Sequence, residues 1–176
     1  MKTEQMGKLV HQIGKPMGYR RRSGLLWRTR GELTTLIHLQ RSQWSGGMYV
    51  NLGVIPSELI TKAVPPSTGY WPLEERAANL ETPHQEMFQQ LERDTEDTMQ
   101  PEEMAEAFTW LLAWMDETFG DTGRVRQALL GIGGVTIPLV SSRLTTAQSG
   151  EWPMVDWARG ELRSPTHYYK GTPYYR

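Results

Sequence analysis

The stretch Gly24–Pro56, GLLWRTRGELTTLIHLQRSQWSGGMYVNLGVIP, decides the fold. Gly24–Arg30 is apolar at Leu25, Leu26 and Trp27, Gly31-Glu32 supplies a turn, and Leu33–Trp44 is rich in Leu, Ile and Thr. Ser45-Gly46-Gly47 is a second turn signal, followed by Met48–Ile55, which Pro56 stops because it has no N–H to continue a ladder. β-rich runs separated by Gly-containing turns predict a three-stranded antiparallel meander.

With a loop over Ser45–Met48, Trp44 is expected to face Tyr49, Ser42 to face Asn51, Gln40 to face Gly53 and Leu39 to face Val54. Side chains alternate across a strand, so Ile37, Leu39, Val50, Leu52 and Val54 share one face. His38, Gln40, Ser42, Trp44, Tyr49 and Asn51 share the other. The first face is the expected core, and the second is polar with aromatics. Arg41 and Gln43 fall on the apolar side and belong near its rim.

Outward from the meander, Thr3–Lys15 carries Met6, Leu9, Val10 and Ile13 at helical spacing and ends at Pro16. Arg20-Arg21-Arg22 then lead into the first strand, as a solvated entry or, in the alternative, a grip on phosphate. Ser57–Pro72, with Pro65-Pro66 and Gly69, reads as a loop. Leu73–Leu80 reads as a helical turn or two in which Arg76 pairs locally with Glu74, Glu75 or Glu81. The alternative has Arg76 reach the polar sheet face as a clamp for an anion or carboxylate.

His84–Arg93 predicts a helix with Met87, Phe88 and Leu91 apolar, and Asp94–Gln100 breaks it. Pro101–Phe119 carries the strongest helical signal, with Pro in the first turn, Glu102 and Glu103 at the positive end of the dipole, and Gly120 as the stop. Met104, Phe108, Leu111, Leu112, Met115 and Phe119 recur at steps of three and four and form a core stripe, which Trp110 and Trp114 are expected to widen. Asp121–Leu130 is a last short helix with Thr122 as its cap. Gly131–Gly134 follows a helix and precedes the strand-like Val135–Val140, the wrong order for a nucleotide fingerprint, so these glycines read as a stop and turn. From Gly150 the chain mixes Trp152, Trp157, Tyr168, Tyr169, Tyr174 and Tyr175 with Arg159, Arg163, Lys170 and Arg176, without helical or strand period.

The run Leu36–Trp44, the run Tyr49–Val54 and the Trp71/Arg76 pair of WPLEER resemble the bacterial family called domain of unknown function 4304. The resemblance covers Gly24–Arg76, is looser over the helices that follow, and is absent after Trp157. It implies a small bacterial α+β domain and carries no substrate, cofactor or catalytic residue with it.

A chain of 176 residues fits one domain and can bury a sizeable core. The expected architecture is α+β. An antiparallel sheet of three to four strands packs against an N-terminal helix and a C-terminal helical set within residues 1–150, with an extended aromatic tail over 151–176. Net charge is −1, but residues 1–44 carry +7 and residues 74–121 carry −12, so the charge either steers partners or neutralises itself within the fold. With no cysteine, disulfides, thiol nucleophiles and Cys-based metal sites are excluded. The N-terminus lacks the apolar core of a signal peptide and no run approaches the roughly 18 apolar residues of a membrane span, so a cytoplasmic location and no membrane partner are expected.

His11, His38, His84 and His167 lie far apart, and no nucleophile-elbow, phosphate-loop or zinc-protease motif appears. No cofactor and no metal are expected. The candidate binding residues are His38, Gln40, Ser42, Trp44, Tyr49, Asn51 and Arg76. Three functions follow. The first is a non-enzymatic domain for a protein partner, of immunity or antitoxin type if that partner is a toxin. The second is nucleic-acid binding through Arg20–Arg22 and the aromatic-basic tail with Lys170 and Arg176. The third is a hydrolase or transferase with His38 as base and Gln40, Ser42 and Asn51 orienting substrate.

Overall fold

The computed structural model describes residues 3–60, 63–65, 71, 73–93, 100–130, 132, 167–169 and 172–174. Helix α1 is Thr3–Gly14, and a short 3-10 turn, Lys15–Met17, follows it. Strands β1 (Arg20–Arg22), β2 (Leu25–Arg30), β3 (Leu33–Arg41), β4 (Met48–Pro56) and β5 (Leu73–Arg76) form one antiparallel sheet in that order. Helices α2 (Gln85–Arg93), α3 (Pro101–Phe119) and α4 (Thr122–Leu130) come next, and β6 (His167–Tyr169) pairs with β7 (Thr172–Tyr174) in a separate two-stranded sheet. The architecture is α+β.

The expected meander is present as β2, β3 and β4, and the sheet has five strands where three or four were expected. One added strand is the arginine triplet. Arg20 pairs with Trp27, Arg21 with Leu26 and Arg22 with Leu25, across a turn in which Ser23 takes a positive φ of 54°. The other is Leu73–Arg76, expected as helix; the 3-10 turn Ala77–Asn79 begins only after it. Four residues are too few for a periodicity, so pairing with β4 decides their conformation. Both additions are edge strands, short and charged, which blocks further edge-to-edge pairing.

At the β3–β4 end, the Ser42 N–H donates to the Gly47 carbonyl at 2.9 Å. Gly47 therefore stands opposite Ser42, where Asn51 was expected. The pairing is offset by an even number of residues, so no side chain changes face. Ile37, Leu39, Val50, Leu52 and Val54 are all buried.

The chain divides into two compact units, and β2, β3, β4, β5 and α3 each contribute residues to both. The first comprises residues 1–28, 36–52 and 75–116. Its core takes Met6 and Val10 from α1, Phe88 and Leu91 from α2, and Met104, Phe108, Leu111, Leu112 and Met115 from α3. Phe88 meets Phe108 edge to face, with ring centroids 5.7 Å apart. Arg28 pairs with Asp116, donates to the Met17 carbonyl at 3.1 Å and lies over the Tyr19 ring. Trp110 and Trp114 do not join the core stripe. Both are half-buried and stack on each other at 6.1 Å, because their side of α3 turns away from the buried stripe.

The second unit comprises residues 29–35, 53–74 and 117–176. Hydroxyls link Thr29 to Thr34 at 2.8 Å and Thr34 to Ser57 at 3.1 Å, and Arg126 pairs with Glu32 at 2.8 Å. Trp71 is fully buried, and its indole packs so close to Gly53 that no side chain fits there. The cap of α4 is Asp121, whose Oδ1 accepts the Arg124 N–H at 3.1 Å, and the expected cap Thr122 is already the first helical residue. A carboxylate reaching the third N–H of a helix is a standard N-cap arrangement. In the tail, His167 pairs with Tyr174 and Tyr169 with Thr172, so two short strands stand where no period was expected. Most of Gly131–Gly134, all of Val135–Val140 and the rest of the tail, including Lys170 and Arg176, lie outside the described residues.

Candidate functional site

Strand alternation brings His38 and Gln40 of β3 and Tyr49 and Asn51 of β4 to one face. The face is graded. Along β4, Tyr49 is half-buried, Asn51 is buried, Gly53 lies beneath Trp71, and Ile55 is buried. The open part is therefore the end at Gln40, Tyr49 and the β3–β4 loop.

In that open part the polar groups are engaged with one another. Asn51 Nδ2 donates to Gln40 Oε1 at 3.1 Å and makes a long contact of 3.5 Å with the His38 carbonyl. Ser42 organises the loop: its Oγ accepts the N–H groups of Trp44 at 3.2 Å and Ser45 at 3.0 Å, and lies 3.3 Å from the Tyr49 hydroxyl. Ser45 Oγ accepts the Gly47 N–H at 3.2 Å and donates to the Glu92 carbonyl at 3.1 Å, tying the loop to the last turn of α2. Gly47 packs so closely on that carbonyl that a Cβ would collide with it. Trp44 is carried on this braced loop with 93% of its surface exposed.

Arg76, at the end of β5, does not pair with Glu74, Glu75 or Glu81. Its guanidinium carbon stands 4.2 Å from the Tyr49 ring centroid, and Nη1 is 3.8 Å from Glu92 Oε2. Glu75 Oε1 accepts the Arg76 backbone N–H at 2.8 Å and the Asn79 amide at 2.7 Å. The 3.8 Å separation is an ion pair too long for a hydrogen bond. Burial raises the Glu92 carboxyl above its usual range, with the nearby Arg76 charge opposing, and Glu92 Oε1 is buried without a hydrogen-bond partner. Burial also holds the His38 imidazole below its ordinary pKa, favouring the neutral ring.

Six of the seven expected residues come together in pairs or triples: Ser42 with Trp44 and Tyr49, Tyr49 with Arg76, and Asn51 with Gln40. His38 enters through its backbone carbonyl. Glu92 is the member that sequence reading missed, since an acidic residue on an acidic helix carries no signal of which strand it will meet. Among the described residues no cluster of three or more potential metal ligands forms, and no described helix is long and apolar enough to cross a membrane.

The sequence profile of the family described as Domain of unknown function (DUF4304) matches residues 10–110. The chain belongs to this family. The matched DUF4304 span runs from α1 into α3 and contains every residue of the candidate site, whereas α4 and the tail lie beyond it. No curated protein and no solved structure matches the chain.

Proposed function

We propose that this DUF4304 chain is a non-enzymatic binding domain that captures a protein partner through the β3–β4 loop and the open end of the polar sheet face. The observation that carries the reading is Trp44, 93% exposed on a loop whose backbone is already held by Ser42 and Ser45. A loop whose backbone is held before association gives up less entropy on binding. Tyr49 and Arg76 stand beside the same loop, and Trp, Tyr and Arg are the residue types that dominate binding hot spots. The bonds within the face support scaffold over catalysis: the Ser42 hydroxyl closes the loop, and the Asn51 amide donates to the Gln40 amide oxygen. The partner this reading favours is a toxin, with the chain as its immunity or antitoxin protein in a bacterial cell.

A tagged chain is expected to retain one protein partner through a salt wash, and Trp44→Ala to release it while keeping the wild-type unfolding midpoint. Relief of growth arrest on co-expression with that partner identifies the toxin class. An eluate holding only the bait, or a partner held equally by both chains, refutes the reading.

A further inference from the structure

Helix α3 carries a second surface that the loop site does not use. Glu103, Glu106, Trp110 and Trp114 follow one another at steps of three and four and so form one stripe. The two indoles are nearly parallel, with 15° between planes and centroids 6.1 Å apart, and the His84 ring lies 6.0 Å from Trp110. Both tryptophans keep part of their surface in solvent, while Met104, Phe108, Leu111, Leu112 and Met115 on the same helix are closed off. Glu103 and Glu106 are exposed and make no ion pair with a described residue. The whole helix holds five acidic residues and no Lys or Arg.

An indole face carries a negative quadrupole and attracts cations, and the Glu106 carboxylate one turn from Trp110, with Glu103 a turn beyond it, deepens the same potential. Phosphates and other anions are repelled from such a stripe, and a purely apolar partner gains nothing from the glutamates. We infer that this stripe docks an arginine- or lysine-bearing segment of a partner protein, with one cationic head against Trp110 and Trp114 and its neighbours paired to Glu103 and Glu106. The surface is independent of the loop site, so either proposal stands without the other.

The test is calorimetric titration of the full chain with an oligoarginine peptide at low and moderate salt, with oligoglutamate as the control. The wild type is expected to bind oligoarginine and not oligoglutamate, more weakly as salt rises. E103Q/E106Q is expected to bind about tenfold more weakly, and Trp110→Leu roughly three- to fivefold more weakly, the range of exposed ion pairs and exposed cation–π contacts. Trp44→Ala is expected to bind oligoarginine as the wild type does. Undetectable wild-type binding overturns the inference, and so does an unchanged affinity in E103Q/E106Q. An effect of the glutamates with none of Trp110 also overturns it, because it marks general attraction to an acidic surface. Should Trp110→Leu fail to fold, Trp110→Phe keeps an aromatic face of weaker quadrupole, and E103Q/E106Q, at exposed positions, decides independently.

Discussion

The guanidinium carbon of Arg76 stands 4.2 Å from the centroid of the Tyr49 ring, joining the last residue of an edge strand to a side chain near the start of its neighbour. The guanidinium thus lies over the phenol ring, and its Nη1 forms a 3.8 Å ion pair with Glu92 Oε2. One arginine thereby ties β5, β4 and α2 together at the open end of the polar face.

A double-mutant cycle on Arg76→Ala and Tyr49→Phe or Tyr49→Ala measures that tie. The coupling expected from denaturant unfolding is about 0.5–1 kcal/mol for the Ala pair, at the exposed end of cation–π energies, and close to zero for the Phe pair, because Phe keeps the ring beneath the guanidinium. Additive single effects in the Ala cycle contradict the contact.

Glu92 predicts a pH dependence. Burial raises its folded-state pKa, against the opposing Arg76 charge, so between the unfolded and folded values the folded chain binds more protons than the unfolded one. Stability therefore falls as pH climbs through that window, just above the ordinary carboxylate range, and the loss is absent below it. Glu92→Gln cannot ionise and is expected to flatten this part of the curve and to be more stable than wild type at neutral pH. Denaturant unfolding across acid to neutral pH reads the slope, and an unchanged slope removes Glu92 as its source.

Two tryptophans are expected to behave oppositely. Trp44 is exposed and Trp71 is fully buried, so Trp44→Ala should change stability by no more than about 0.5 kcal/mol, the usual limit for exposed sites. Trp71→Ala empties a large site and should destabilise by about 3–5 kcal/mol. Thermal and denaturant unfolding of the two variants checks the contrast.

Gly53 tests the same packing from below. A Cβ there would collide with the Trp71 indole, so Gly53→Ala should destabilise by about 1–3 kcal/mol, the cost of overpacking. Combining it with Trp71→Leu should give less than the sum of the two, since the clash goes with the indole.

The α4 cap gives a local prediction. Asp121→Ala removes the acceptor for the Arg124 N–H and should cost about 0.5–2 kcal/mol, whereas Thr122→Ala, inside the first turn, should be nearly neutral. Equal effects at the two positions would return the cap to Thr122.

The sequence alone determined whatever depends on local period. Helix α3 runs over Pro101–Phe119 as its spacing and end signals require, and the β3–β4 faces divide as alternation demands, even though the pairing is offset, because an even offset preserves parity. Tertiary structure decided whatever depends on a distant neighbour. Leu73–Arg76 is a strand because β4 offers it a ladder; Arg76 rests on Tyr49 and beside Glu92 instead of a local glutamate; Trp110 and Trp114 stay half-buried because of how α3 is rotated about its axis. A helical or strand period says which side chains share a face, but what meets that face depends on residues far away in the chain, so the surfaces on which binding rests emerged only from the folded molecule.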